Sequence, residues 1–522
     1  MVNMADTLFL YMLRKSLYFI IPALILSSCD TGLQGDFKQN QPPKTYLTVN
    51  SINLPEDDRL NSQTRISWWG DDPDGYIVGY EIYIGDNASD PSAQWSFTTS
   101  KDSTFILPIE EGNTVADVRF TVRAIDNDDT RDPEPPSLVF PIENSRPTMA
   151  FGGQETPPDT TYSVFTFGVR GNDPDGFANL NRIEISLNDS LSGWQALTPQ
   201  TELITFITSP DGISELFLGR ALIETDISFE TINWDAENHF YVRSFDNAGA
   251  ESDMISYTWY VKKQKSNVLF LNDYFGPNSQ SVANQHIALL KSVGIEDVDY
   301  MDISDGNAIG GRRVTLSSAF PNRALAAPTI NKMLAQWDHI YWVSDNLDRN
   351  IGYALELTFE FFEQGGNMFI NIPTKVLAED NPVLEFLPFQ SVQPVPPGQQ
   401  SFIIQNNSEV TATSAVPNAP YLRFRRNLLA IYPIIPFGET VELFNAPFRV
   451  RNAIGFVNDF EGSNLISAMN PEETIFYLGM DLTEFDTQER TVTRSGEQVT
   501  LPASDLTGFL RYATRDILKF EQ

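Results

Sequence analysis

Asp72-Pro73-Asp74-Gly75 returns 101 residues later as Asp173-Pro174-Asp175-Gly176, and Val122-Arg123-Ala124-Ile125-Asp126-Asn127 returns 120 residues later as Val242-Arg243-Ser244-Phe245-Asp246-Asn247. Two matched pairs in the same order imply a duplicated module, the second copy being longer between its signatures. Around the first copy the chain alternates. Ile66 and Trp68 oppose Arg65 and Ser67, and Tyr80, Ile82 and Ile84 oppose Glu81, Tyr83 and Gly85. Val118, Phe120, Val122 and Ala124 oppose Arg119, Thr121 and Arg123 in the same way. Period two with regularly spaced turns predicts a β-sandwich for each copy. The expected bounds are residues 46–143 and 144–263, with Pro133, Pro135, Pro136 and Pro147 at the junction.

Trp68 in a strand-B-like segment, Tyr80 in a strand-C-like segment and Phe120-Thr121-Val122-Arg123-Ala124 in a strand-F-like segment make the first copy resemble a fibronectin type III domain. Phe120 stands where that family often has tyrosine, so its hydroxyl-mediated corner bond is absent. At the first offset Trp68 becomes Val169 and Trp69 becomes Arg170. A core slot accepts Val for Trp but not Arg, so Trp69 is expected to face outward. Tyr80 becomes Asn181, and the second copy is read as a fibronectin-like or immunoglobulin-like sandwich.

The duplicated loops are acidic. With the loops after strands B and F at one pole, Asp72 and Asp74 would lie near Asp126 and Asp128; the second copy offers Asp173, Asp175 and Asp246. Hard oxygen donors at that density are a candidate calcium site. The alternative is plain turn chemistry, in which Pro fixes φ, Asp caps and Gly takes a positive φ.

At residue 264 the pattern changes. Asn267-Val268-Leu269-Phe270-Leu271-Asn272 is a continuous apolar run, as expected of a strand buried on both faces. A helix over 279–293 is expected next, then a strand over 298–303 and a short helix over 330–337. Strands at 339–343 and 368–372 flank a helix at 353–362. A strand at 475–479 and a helix over 504–519, capped by Ser504 or Asp505, close the chain. Such alternation predicts a doubly wound, mostly parallel α/β sheet over 264–522, with an insertion at about 373–450. The fold class is therefore multidomain: two all-β sandwiches followed by an α/β domain.

Several segments carry a further resemblance: the opening run, Trp337-Asp338-His339-Ile340-Tyr341-Trp342-Val343, Gly365-Gly366-Asn367-Met368-Phe369-Ile370, and Phe476-Tyr477-Leu478-Gly479-Met480-Asp481-Leu482. With them the domain resembles the flavodoxin-like fold of class I glutamine amidotransferase-like proteins, which include non-catalytic relatives. Active members carry a cysteine at a strand-to-helix elbow, paired with histidine. This domain has no cysteine, so the amidotransferase reaction is excluded unless another nucleophile took over. It lacks a G-x-S-x-G elbow and a phosphate loop as well. Open α/β sheets bind ligands at the carboxyl ends of their strands. That cleft would be lined by Asn272, Asp273, Tyr274, Ser344, Asp345, Asn346 and Asn371, with Asp481 nearby. The competing expectation is that these residues cap helices and form turns. His286 and His339 read as packing residues rather than bases. Arg423, Arg425 and Arg426, interleaved with Leu422 and Phe424, either pair internally or dock an anionic partner.

The N-terminus addresses the chain. Residues 21–29, IPALILSSC, end in Leu26-Ser27-Ser28-Cys29, which resembles the lipobox of bacterial lipoproteins. The resemblance implies a signal peptide over 1–28, cleavage before Cys29 and a diacylglycerol on its sulfur. Met12, followed by Leu13-Arg14-Lys15, is the better translation start. Residues 29–45 read as a flexible tether. Cys29 is the only cysteine, so the mature chain has neither an internal disulfide nor a free thiol nucleophile. Lys+Arg is 35 against 69 Asp+Glu, a formal charge of −34. A surface this acidic repels phosphate backbones, which argues against nucleic acid as a partner.

Together these features predict a non-enzymatic lipoprotein, lipid-anchored in the bacterial cell envelope, on the outer membrane. Its sandwiches would be spacers or binding modules presenting an α/β interaction domain. The expected partners are the membrane through its lipid anchor, and envelope proteins or polysaccharide; calcium is the one candidate cofactor. A carboxylate-dependent hydrolase of carbohydrate or peptide, using Asp273 and Asp345, is the first alternative. A subunit of an envelope protein complex, docking through faces such as exposed Trp69, is the second.

Overall fold

The computed structural model describes residues 39–49, 59–153, 155–303, 323–494 and 496–520. The chain divides into two compact units, Met1–Asn144 and Ser145–Gln522. Cys29 and the expected signal segment lie outside the described residues, and no helix among the described residues is long and apolar enough to cross a membrane.

In the first unit Lys44–Val49, Gln63–Asp71 and Asp102–Ile106 form one antiparallel sheet. The second sheet runs in the order Leu60–Asn61, Ser137–Glu143, Val115–Asp126, Ile77–Ile84, Ser96–Thr98. Their inner faces meet on Ile66, Trp68, Tyr80, Phe120, Val122 and Phe140, all buried, which makes a β-sandwich. Trp68 is in the second full strand and Tyr80 in the third, as the fibronectin type III resemblance implied, and their rings meet edge to face at 6.3 Å. Strand alternation turns Trp69 outward, where it is 45% exposed and stacks at 4.9 Å on Tyr46, its cross-strand partner.

The second sandwich repeats the plan with two five-stranded sheets. Val169 takes the place of Trp68, and the core is filled instead by Phe165, Phe167, Phe206, Phe240 and Trp259. Phe167 stacks on Phe240 at 4.3 Å. The added length of this copy includes Leu203–Thr208, Ser214–Leu218 and Ile223–Phe229, successive strands of one sheet.

The remainder is built on an eight-stranded sheet. Asp299–Asp302, Val268–Asp273, His339–Ser344, Asn367–Asn371 and Ile475–Leu478 lie side by side and parallel. Leu465–Met469, Val441–Asn445 and Thr411–Ala412 extend the sheet antiparallel. The helix Ser279–Ser292 covers one face, where Ala283 and Leu290 meet Val268, Phe270, Tyr341 and Phe369. The helix Arg323–Leu334 covers the other, where Ile330 and Met333 meet Leu269, Leu271, Ile340 and Trp342. Burial on both faces is why Val268–Leu271, Ile340–Val343, Met368–Ile370 and Ile475–Leu478 run apolar without alternation, with polar residues only at the strand ends.

Four elements depart from expectation, the first being the short helix expected over 330–337, which spans Arg323–Leu334. The helix expected over 353–362 is broken into Ala354–Leu357 and Phe359–Glu363, because Thr358 leaves helical geometry and its hydroxyl bonds the Ala354 carbonyl at 2.7 Å. The closing helix is α-helical only over Leu506–Leu510 and then widens to π-helix over Arg511–Ile517; Asp505 caps it, accepting from the Gly508 amide at 2.7 Å. Residues 373–450 are woven into the lobe, contributing two strands to the main sheet and most of a separate four-stranded one.

The second sandwich and this lobe share one core. Tyr162 and Val164 belong to the same buried cluster as Leu271, Ile330 and Trp337. The Tyr162 and Trp337 rings meet edge to face at 4.9 Å. The Tyr162 hydroxyl donates to the Tyr300 carbonyl at 3.0 Å and accepts from its amide at 3.1 Å. The Trp337 indole donates to Asp299 at 3.0 Å, and Thr166 bonds Thr329 at 2.8 Å. Truncating Tyr162 to Ala removes a buried ring and two hydrogen bonds. The expected loss is about 3–5 kcal/mol of unfolding free energy, read by chemical denaturation, with sandwich and lobe still melting in one transition. A loss below about 1 kcal/mol would make the junction peripheral.

Candidate functional site

The residues expected to line a strand-end cleft lie at the strand ends, but their polar groups are taken up by neighbouring side chains and backbone and in places by one another. Asn272 donates to the Ser279 hydroxyl at 2.7 Å and to the Tyr300 hydroxyl at 2.9 Å. Asp273 accepts from the Asn350 side chain at 2.7 Å and its amide at 3.2 Å, while the Ser344 hydroxyl donates to the Asp273 carbonyl at 3.0 Å. Asn371 donates to the Met480 carbonyl at 2.6 Å and accepts from the Leu482 amide at 3.3 Å. Asp481 accepts from the Tyr274 hydroxyl at 3.0 Å and the Thr483 amide at 2.7 Å. Asp345 accepts from the Phe275 amide at 3.2 Å and pairs with Arg349 at 3.1 Å; Asn346 accepts from the Asp348 amide at 3.0 Å. Asn272, Asp273, Ser344, Asn371 and Asp481 are buried. Their geometry is that of loop capping, the competing expectation for these residues.

Burial pushes Asp273 up to about 7, against the opposing hydrogen bonds from Asn350. The folded state therefore holds a proton that the unfolded chain releases near pH 4. Its contribution to stability is complete below that value and is lost as pH rises through about 7. Relative to wild type, Asp273→Asn should flatten the pH dependence of unfolding free energy between about pH 4 and 7, by at most about 1.4 kcal/mol per pH unit. Parallel curves for the two proteins in denaturant titrations would contradict this.

The acidic loops converge too, and their carboxylates also face backbone amides. Asp126 accepts from the Asp128 and Thr130 amides at 2.9 and 2.8 Å and from Asn40 at 2.7 Å. Asp74 accepts from the Gln41 amide at 3.2 Å, Asp72 from the Asp74 amide at 3.4 Å, and Asp128 from Asn127 at 3.4 Å. In the second copy Asp173 accepts from the Asp175 amide at 2.7 Å, Asp175 from the Ser145 amide at 2.6 Å, and Asp246 from the Ala250 amide at 2.8 Å. Among the described residues no group of three or more His, Cys, Asp or Glu is placed to hold a metal ion. Asp72, Asp126, Asp173 and Asp246 accept within their own turns, whereas Asp74 and Asp175 accept from segments 33 and 30 residues earlier, and the two copies use these positions alike.

A second duplicated feature needs the two copies aligned to be seen. Arg123 pairs with Glu81 at 2.6 Å and lies 3.9 Å over Trp95; Arg243 pairs with Glu184 at 2.8 Å and lies 4.1 Å over Trp194. Each pair sits opposite in register on neighbouring strands, so the arrangement is a cross-strand clamp on one sheet face.

The three arginines pair internally. Arg423 is fully buried and donates to Asp486 at 2.9 Å, Asn407 at 2.8 Å and the Gln488 carbonyl at 2.7 Å. Arg426 forks onto Glu484, and Arg425 approaches the same carboxylate at 3.6 Å. His286 is buried with its Nδ1 2.9 Å from the Tyr341 hydroxyl, and His339 stacks on Phe520 at 4.5 Å, so both pack within the lobe.

No family model matches this chain, and no curated protein matches it. Among solved structures it is similar to the fibronectin(III)-like modules of Clostridium thermocellum CbhA, at 15% identity over 42% of this chain and 94% of that one, with a TM-score of 0.16. It is likewise similar to a two-domain fibronectin type III segment of chicken tenascin, at 13% identity over 42% of this chain and 99% of that one, with a TM-score of 0.17.

Proposed function

We propose that this chain is a non-enzymatic, lipid-anchored protein of the bacterial cell envelope, held on the outer membrane through Cys29. Its two β-sandwiches act as spacers or binding modules. Its C-terminal lobe, a doubly wound α/β scaffold of the flavodoxin-like, glutamine amidotransferase-like kind, is a binding or interaction head. The observation that carries the non-enzymatic part is the strand-end network. Asp273, the carboxylate a hydrolase would most need, is wholly buried and bonded by Asn350. Asp345 is held by Arg349 and an amide rather than turned toward a partner carboxylate.

Exposed aromatic surface favours the envelope-complex reading as a second possibility. On the first sandwich Tyr76 is 67% and Phe97 60% exposed, and aromatic residues of this kind anchor protein interfaces. Labelling cells with palmitate tests the anchor. Label should enter the protein at Cys29, and Cys29→Ser should release the chain from the membrane fraction. Label that is absent, or that persists in the substituted protein, would overturn the assignment.

A further inference from the structure

A cavity of about 280 Å³ lies between the helix Ser279–Ser292 and the segment that follows Asp481, next to the strand ends, and shares Leu482 and Thr483 with the bonded network there. Leu482 and Phe485 form apolar wall, and Thr483, Gln488, Arg425 and Arg490 bring hydrogen-bond donors to it. His286 lines it as well, although the residue is only 1% exposed.

The histidine's other contact sets which proton it shows. Its Nδ1 is 2.9 Å from the Tyr341 hydroxyl. Tyr341 is fully buried, and its hydroxyl has no other hydrogen-bond partner among the described residues. A buried hydroxyl that donates to nothing is costly, so Tyr341 donates to Nδ1 and the ring proton sits on Nε2. Nε2 in turn makes no hydrogen bond among the described residues. Burial pulls the ring down to about 4, against a weaker opposing pull from Asp481, so it is neutral at pH 7.

The charge around the cavity runs against the chain as a whole. Four guanidiniums, from Arg423, Arg425, Arg426 and Arg490, gather with Glu484 and Asp486. Asp486 is engaged by both Arg423 and Arg490. The third acid nearby, Asp481, is taken up by Tyr274 and the Thr483 amide. Arg425 and Arg490 remain about half exposed at the rim, at 46% and 50%. The lining itself carries Arg425 and Arg490 against the one carboxylate of Asp486, which in a protein of net charge −34 is a small local excess of positive charge.

We infer that this cavity binds a small oxyanion-bearing molecule, a carboxylate or a phosphate. Arg425 and Arg490 would fork onto its oxygens, and His286 Nε2–H would donate to it from the floor. This rests on the reading of the C-terminal lobe as a binding head and gives that head a ligand class.

The chain has three histidines, so imidazole resonances report the site directly. The full-length protein in detergent micelles, labelled with ¹³C-histidine, is titrated with inorganic phosphate and separately with succinate, with sodium chloride as the ionic-strength control. One imidazole, assigned to His286 through His286→Gln, should move saturably at millimolar anion while those of His239 and His339 stay still. A response to phosphate alone assigns a phosphate ligand, and a response to succinate alone assigns a carboxylate; either supports the site. Arg490→Ala, at the exposed rim, should weaken the response at least tenfold; it also identifies the resonance should His286→Gln fail to fold. No saturable shift with either anion, shifts of all three rings that sodium chloride reproduces, or an unchanged response in Arg490→Ala would overturn the site. Palmitate labelling of Cys29 is unaffected by any of these results, so the anchor stands or falls separately.

Discussion

A strand covered on both faces has no side on which to put a polar residue. That constraint shapes the larger unit of this protein. Four of the five parallel strands of the C-terminal sheet, all but the edge strand Asp299–Asp302, are apolar on both faces through their middles because helices close over each side. The same constraint reaches into the second sandwich. Val164–Asn172 begins with six consecutive buried residues. Phe165 and Phe167 point into the sandwich core, while Val164 and Thr166 meet the lobe. One strand therefore serves two cores, and sandwich and lobe belong to a single body.

Within the sheet the constraint produces an aromatic ladder. Tyr300, Phe270, Tyr341, Phe369 and Phe476 come one from each parallel strand, in register, with ring separations of 5.9, 5.4, 4.7 and 5.6 Å along the row. Stacked rings of this kind add to the burial of their area. The ladder also fixes the two hydroxyls that matter beside it. Tyr300 receives Asn272 in the strand-end network, and Tyr341 orients His286 beneath the cavity. The polar features of the lobe are thus positioned by its apolar spine.

Much of the architecture is legible in the sequence because its signals are local. D-P-D-G is turn chemistry wherever it occurs, and its recurrence marks the duplication. Alternation around Trp68 and the unbroken run from Val268 to Leu271 report one-sided and two-sided burial respectively. What escapes a linear reading depends on partners far away in the chain. Asp273 is satisfied by Asn350, 77 residues on, so it reads as an open carboxylate until the chain folds. Internal pairing is one of two readings open for Arg423, but its partner Asp486, 63 residues away, and its complete burial are not visible along the chain. The fusion of sandwich and lobe had a local trace in Val164-Phe165-Thr166-Phe167, whose polar positions are too few for a strand with one wet face.

Amide hydrogen exchange under native conditions tests the shared core most directly. If residues 145–522 are one body, the slowest amides of Val164–Asn172 and of Val268–Asp273 should exchange with the same opening free energy and the same denaturant dependence. Amides of Val164–Asn172 that exchange through a separate, cheaper opening, while the parallel strands stay protected, would mean that sandwich and lobe are independent domains in contact.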